Sequence, residues 1–309
     1  QHPEFQPSRC TGRKRAVCIG INYTGQNGQL DGCVSDANNM YRFLVGKLGF
    51  RNRDIIHLTD DARNPRNQPT RLNILGAMRW LVRGARKHDS LFFHYSGHGS
   101  QVRDLNGDEV DGYDEVIFPI DYSQAGTIID DELHHHLVKP LPPGCRLTVR
   151  RLASHAPNYW LTDSVVDLPT LRSVLMRRLC PIDIPFIVRD DSPLFALRLI
   201  YAQKYHSDGR VKSSSLTKEF LSEKTSPADV ICWSGSTDTG TSTDVQGVNI
   251  AVGAMSYAFL RVLTGSRSRP TYEDLLRDLR RATRKYHQKP QLSASHPIVS
   301  AILLSSTRH

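Results

Sequence analysis

LFFHYSGHGSQ, residues 91–101, is the stretch that decides the fold. Leu91, Phe92, Phe93 and Tyr95 surround a single His94, as in a strand with both faces covered, and such strands belong to parallel sheets between helices. The run breaks at Gly97-His98-Gly99, so the strand is predicted to stop there, the glycines turning the chain sharply and leaving the His98 imidazole exposed. The carboxyl ends of strands are where open α/β sheets keep their sites. A histidine so placed can move a proton near neutral pH, although most lone histidines in glycine turns are structural.

Outward from this run, strand and helix signals alternate. Arg15 to Ile21 reads as a buried strand, and Val34 to Leu48 as a helix with Ala37, Met40, Phe43, Leu44 and Leu48 on one face. A short strand follows near Asp54 to Leu58, then a helix that Thr70 can cap, carrying Leu75, Met78, Leu81 and Val82. This β-α-β-α-β order predicts an α/β fold of three layers, a twisted, mostly parallel sheet flanked by helices. Further on, strands are expected at Glu115 to Ile120, Asp229 to Trp233 and Ile298 to Leu304, and helices at Ala251 to Leu263 and Tyr272 to Tyr286. Residues 1–13 read as a tail, 14–309 as one domain, and 170–225 as an insertion or linker.

With 309 residues and 39% hydrophobic content, the chain can bury a large core. No apolar run is long enough to span a bilayer, and the start, QHPEFQPSRCTGRKR, lacks the apolar centre of a secretory signal, so a cytoplasmic protein without a membrane partner is expected. Because the first residue is Gln1 and not Met, a preceding region is expected to be missing. The six cysteines form no C-x-x-C pair, which predicts free thiols and neither zinc nor disulfides. The net charge of +9 is concentrated between Arg261 and Lys289, where Leu275, Leu276, Leu279, Ala282 and Tyr286 mark an apolar helical face. The basic residues are then its solvated side, and no nucleic-acid partner is implied.

RDLNGDEVDGYDEVIFPID, residues 103–121, places Asp104, Asn106, Asp108 and Glu115 at offsets 1, 3, 5 and 12 of a calcium loop, but Glu109 stands where that loop needs glycine. Carboxylates gathered from separate loops can still hold calcium, and Asp114, Asp121, Asp130 and Asp131 are available; a solvated acidic loop is the alternative. Of His134, His135 and His136, adjacent on a helix, at most one points inward.

Taken in order, CTGRKRAVCIGINY, GQLDGCVSDANNM, LTDDARNP, QPTRLNIL, LFFHYSGHGSQ, DLNGDEVDGYDEVIFPID, IIDDEL and PPGCRLT, and later TSPADVICWSGS, GAMSYAFL and QKPQLSASHP, resemble the type I metacaspases of fungi, a caspase-like family of cysteine endopeptidases. The resemblance implies a caspase-like fold and polypeptide substrates cut after Arg or Lys by a monomeric enzyme. It implies His98 as acid and base of a Cys-His dyad, with Asp36 and Ser96 binding the substrate's basic side chain. Backbone N–H groups near Gly97-His98-Gly99 would stabilise the oxyanion. It also implies calcium, held by Asp114, Asp130, Asp131 and Asp167.

The pattern breaks at VRRLASHAPNYWLTDSVVDLP, residues 149–169. The family carries its nucleophile here in an Asp-Ser-Cys-His-Ser-Gly motif; counting forward puts Ser154-His155 where Cys-His belongs and Leu152 where a second pocket acid belongs. A serine hydroxyl is a weak substitute for a thiolate. Arg150 and Arg151 stand where apolar strand residues should be, so the strand is expected to be damaged. Cys33 matches a secondary cysteine of the family near the cleft, but buried free cysteines are usually small hydrophobes. The segment is explained by a pseudoenzyme, by a splicing or reading-frame error, or by an incidental replacement; retention of Asp36, Ser96, His98 and the aspartates favours the second. As written, the chain is expected to be inactive, with a noncatalytic binding protein as the alternative.

Overall fold

A computed structural model describes residues 5–103, 113–155, 204–205, 211–212, 226–235, 244–245, 252–265, 271–286 and 290–295. The first half runs β1 (Lys14–Gly20), α1 (Cys33–Leu48), β2 (Ile55–Thr59), α2 (Arg71–Val82), β3 (Ser90–Arg103), β4 (Tyr113–Ile117), α3 (Tyr122–Ala125), β5 (Ile128–Ile129) and α4 (Asp130–Leu133), which continues into a π turn over His134–Val138. Then come β6 (Arg146–His155), the pair β7 (Lys204–Tyr205) and β8 (Val211–Lys212), β9 (Asp229–Ser234), the pair β10 (Asp244–Val245) and β11 (Val252–Gly253), α5 (Ala254–Gly265), α6 (Tyr272–Thr283) and β12 (Gln291–Ala294).

The central sheet has the order β12-β9-β6-β3-β1-β2. All its pairings are parallel except β12 with β9; β4 adds antiparallel to the far half of β3, and β5 to β4. Side chains alternate across the strands, so each strand serves two cores. On one face Val17, Ile19, Leu91, Phe93, Tyr95, Leu147 and Val149 meet Ile74, Met78 and Leu81 of α2 and Leu137 and Val138 of the π turn. On the other, Ala16, Cys18, Phe92, Ile231 and Trp233 meet Ala37, Met40 and Leu44 of α1, Met255 and Phe259 of α5, and Leu275 and Leu279 of α6. The expected three-layer arrangement is present.

Local chemistry explains the ends. Thr70 Oγ1 accepts the Asn73 N–H at 3.3 Å and so starts α2, while Gly49, at φ 69°, closes α1 in the left-handed region. On α6, Arg277 and Arg281 point outward beside Asp274 and Asp278 as the sequence suggests, although Arg280 turns back to the Pro290 carbonyl at 3.1 Å. Only His134 of the three histidines is buried. Cys10, Cys18, Cys33, Cys145 and Cys232 are buried and unbridged; Cys180 lies outside the described residues. No helix among the described residues is long and apolar enough to cross a membrane.

Part of the expected tail is tied down. Ser8 N–H donates to Asp229 Oδ2 at 2.9 Å, Gly12 N–H to the His88 carbonyl at 2.8 Å, and Arg13 N–H to Asp89 Oδ1 at 2.8 Å, so residues 8–13 cross the amino ends of β9 and β3. Beside them Arg146, which opens β6, pairs with Asp229, which opens β9, at 2.5 Å, and donates to Tyr272 Oη on α6 at 2.6 Å. Both side chains of the pair are buried. Burial works against the Arg146 charge, but the Tyr272 hydroxyl and the Asp229 carboxylate outweigh it and hold the guanidinium's pKa above its ordinary value.

Three expectations need correction. β3 does not stop at Gly97-His98-Gly99 but runs through to Arg103, because β4 pairs with it over Gly99–Arg103 and β6 over Ser90–Gly99. β6 is not damaged by its arginines: it is continuous from Arg146 to His155, with ten residues in register along β3. The final helix ends at Thr283, with only a tight turn over Arg284–Tyr286, and α5 begins at Ala254. The strand expected at Ile298 to Leu304 lies outside the described residues.

Candidate active site

His98 sits within β3, and its exposure is 3% of full, so it is buried and not the exposed imidazole the glycines suggest. Two tyrosines hold its main chain. Tyr23 Oη accepts the His98 N–H at 3.1 Å and donates to the Phe118 carbonyl at 2.6 Å, while Tyr95 Oη donates to the His98 carbonyl at 2.7 Å. The Tyr23 ring lies tilted against the imidazole with centroids 4.7 Å apart. This clamp explains the first glycine: a Cβ on Gly97 would lie 2.6 Å from Tyr95 Oη and 3.0 Å from Tyr23 Oη, so the position is small to let two phenols in, not to turn the chain. With its N–H given to Tyr23, the amide of His98 is not available as one of the oxyanion donors expected near these glycines.

The ring is fixed as well. His98 Nε2 lies 2.6 Å from the Gly28 carbonyl oxygen, in the loop after β1. A carbonyl only accepts, so Nε2 carries the hydrogen and the lone pair of the neutral imidazole is on Nδ1, the nitrogen that can take a proton. Neither Tyr23 nor Gly28 is legible as a site residue in the sequence. A main-chain carbonyl leaves no side-chain signal, and Tyr23 reads simply as an aromatic after a strand.

The register of β3 and β6 sets His98 opposite Ser154, Ser96 opposite Leu152 and His94 opposite Arg150. The side chains of Arg151, Leu152, Ser154 and His155 lie outside the described residues, so Ser154 is placed by backbone alone. Asp36 and Ser96, chosen from sequence as a pair, do meet: Ser96 Oγ donates to Asp36 Oδ2 at 3.1 Å, and both are buried. Asp36 lies in the first turn of α1, where a carboxylate also suits the helix dipole. Asn22 Oδ1 accepts the Cys33 and Val34 N–H groups at 2.9 and 3.1 Å, anchoring that turn. Cys33 is buried there. Burial pushes the Cys145 thiol up to about 12 and the Cys18 thiol higher, so neither supplies a thiolate near neutral pH.

Arg150 is wholly buried, its guanidinium stacked over the Phe259 ring at 4.7 Å, and Nε and both terminal nitrogens lack hydrogen-bond partners. Burial pulls its pKa down to about 10, the negative charge of Asp36 opposing the fall, so it stays charged at pH 7. The expected cost is therefore real, but the ladder on both sides of β6 and the aromatic face absorb it without breaking the strand.

Among the expected metal ligands, Asp114 on β4 and Asp130 at the start of α4 are buried, Asp131 is half-buried, and Asp167 lies outside the described residues. Asp121 instead accepts the Arg71 N–H at 2.8 Å. No group of three or more His, Cys, Asp or Glu placed to hold a metal occurs among the described residues. The hard oxygen donors of two buried carboxylates suit calcium in kind, and a cation would relieve the cost of burying them.

A family description, the metacaspase peptidase C14 domain, matches residues 14–169, a span that contains Asp36, Ser96, His98 and the whole of β6. The chain belongs to the metacaspase family. It is 47% identical over 308 residues to Metacaspase-1 of Cryptococcus neoformans var. neoformans serotype D, covering 97% of this chain and 66% of that protein, so it spans just under two thirds of that relative. To Metacaspase-1A of Aspergillus niger it is 45% identical over 303 residues, covering 96% of this chain and 74% of the other. It is thus a fungal-like metacaspase, a member of a cysteine peptidase family. Among solved structures it is similar to caspase-1 from Spodoptera frugiperda, with a TM-score of 0.51, 10% identity and 94% and 89% of the two chains covered, and to a Geobacter sulfurreducens protein, with a TM-score of 0.59, 23% identity and 96% and 98% covered. These two show the fold, which is caspase-like as expected.

Proposed function

We propose that this metacaspase is built as an endopeptidase that cuts polypeptides after Arg or Lys, and that in this sequence the reaction is stalled for want of a thiol. The observation that carries the proposal is the hydrogen bond from His98 Nε2 to the Gly28 carbonyl, which orients a buried imidazole beside the strand position where the nucleophile belongs. With a cysteine at that position, its proton passes to His98 and the thiolate sulfur bonds to the scissile carbonyl carbon. The imidazolium then protonates the amide nitrogen as the C–N bond breaks, leaving an acyl thioester that water hydrolyses. The buried Asp36 supports the preference for a basic side chain, since a carboxylate takes a guanidinium or ammonium by a charge-assisted hydrogen bond.

The test uses a variant with Ser154→Cys and Arg150→Leu, which supplies the thiol and an apolar strand residue. It is expected to hydrolyse an Arg-ended fluorogenic peptide at least about tenfold faster than an Asp-ended one, and to lose that activity on adding His98→Ala. Equal hydrolysis of the two peptides, or activity indifferent to His98, would overturn the reading. A noncatalytic binding protein for basic peptides is the second reading, favoured by Ser154 itself; retention on an Arg-ended peptide that needs Asp36, without turnover, distinguishes it.

The proposal includes calcium held by Asp114, Asp130, Asp131 and Asp167, where it would neutralise carboxylates. In a thermal melt, calcium at a hundredfold excess over its dissociation constant is expected to add about 2.7 kcal/mol of stability. Magnesium should not reproduce the effect, and Asp130→Asn should abolish it. An unchanged melting temperature in saturating calcium removes the metal from the account. The protein is further taken as a cytoplasmic monomer without nucleic-acid or membrane partners, supported by its buried unbridged thiols and the solvated basic face of α6.

A further inference from the structure

The acid of the pocket already faces a cation of this chain's own. Asp36 on α1 is tied by Ser96 Oγ to β3, and Arg150 rises from the neighbouring β6, two register pairs before Leu152, which lies opposite Ser96, and so on the same face of the sheet. The face of the sheet that carries α1 also carries α5, whose Phe259 stacks on the Arg150 guanidinium. That guanidinium is fully buried and donates no hydrogen bond, so its charge is compensated through space and not by a contact ion pair. Asp36 and the Cys18 thiol favour its charge, burial holds that thiol protonated at neutral pH, and burial together with Arg150 itself keeps His94, opposite it on β3, neutral. Asp36 is thus its source of negative charge.

We infer that Arg150 serves as an internal counter-ion to Asp36, standing in for the basic side chain of a substrate and weakening the pocket's hold on Arg-ended or Lys-ended peptides. The inference rests on reading Asp36 as the acid of a basic-residue pocket. A carboxylate whose charge is balanced from inside the protein gives an incoming guanidinium less attraction, and the second cation is also repelled by the first. Neither effect needs contact between Arg150 and the peptide. In low-dielectric surroundings the difference is expected to be at least about tenfold in affinity.

The test is fluorescence anisotropy of a labelled tetrapeptide ending in argininamide, titrated with the full chain and with Arg150→Leu. Arg150→Leu is expected to bind at least about tenfold more tightly than the unaltered chain, and adding Asp36→Asn is expected to remove the gain. If the unaltered chain binds as tightly as Arg150→Leu through Asp36, the counter-ion inference fails while the basic pocket stands. If neither binds, although both melt cooperatively, the basic pocket itself fails and takes the inference with it. Should Arg150→Leu not fold, Asp36→Asn decides: in the unaltered chain it should lower the melting temperature by stranding Arg150, and an unchanged or higher value overturns the inference.

Discussion

The chain as it stands is expected to hydrolyse an Arg-ended fluorogenic peptide at least about 10⁴-fold more slowly than a metacaspase that has its cysteine, because loss of the nucleophile alone removes a factor of that size or more in enzymes whose base and nucleophile act as a unit. The loss follows from proton affinity. A thiol beside an imidazole ionises near neutral pH, whereas the hydroxyl of Ser154 would have to give up its proton during attack to His98, whose Nε2 is held by a neutral carbonyl. Nor do Cys18, Cys145 or Cys33 offer a ready replacement, since Cys18 and Cys145 are kept protonated by burial and Cys33 is closed into the first turn of α1. Robust hydrolysis that survives thiol alkylation would contradict this account and make Ser154 the nucleophile. Hydrolysis that alkylation abolishes would contradict it too and point to a cysteine of this chain as nucleophile.

The second large effect is expected at the opposite end of the sheet. Arg146→Met should lower stability by about 3–5 kcal/mol, because it takes the cation from the Asp229 carboxylate, which has no exposure and lies between β6, β9 and α6. For a domain of this size that corresponds to a fall of roughly 6–15 °C in melting temperature. Arg146→Met with Asp229→Leu should recover most of the loss, since two apolar side chains leave no buried charge behind. A single variant within about 1 kcal/mol of the unaltered chain would show that the pair is not holding these elements together.

Much of the fold could be read before any coordinates, for reasons that differ by element. β1, α1, β2 and α2 follow from apolar periodicity and a threonine cap, which are local properties. The family resemblance pairs Asp36 with Ser96, and the two touch. The errors came where a residue's environment is set by distant chain. Gly97 reads as a turn because glycine usually marks one, yet here it makes room for Tyr23 and Tyr95. Arg150 reads as a strand breaker because its partners, the Phe259 face and the two flanking ladders, come from other parts of the sequence. β12 is only four residues, Gln291 to Ala294, too short for its alternation to mark a strand, and its pairing with β9 is what makes it one.

The bond between His98 and Gly28 joins two regions that should open at very different rates. β3 is laddered to β1, β6 and β4, so its amides belong with those that exchange with solvent only when the whole domain unfolds. Gly28 lies in a loop whose neighbours, Thr24 to Asn27, Gln29 and Asp31, are exposed, and such segments open locally with little free energy. The proton on the imidazole is therefore held at one end by the slowest part of the molecule and at the other by one of its fastest. How long a single tautomer lasts will be set by the loop, not by the strand that carries the histidine.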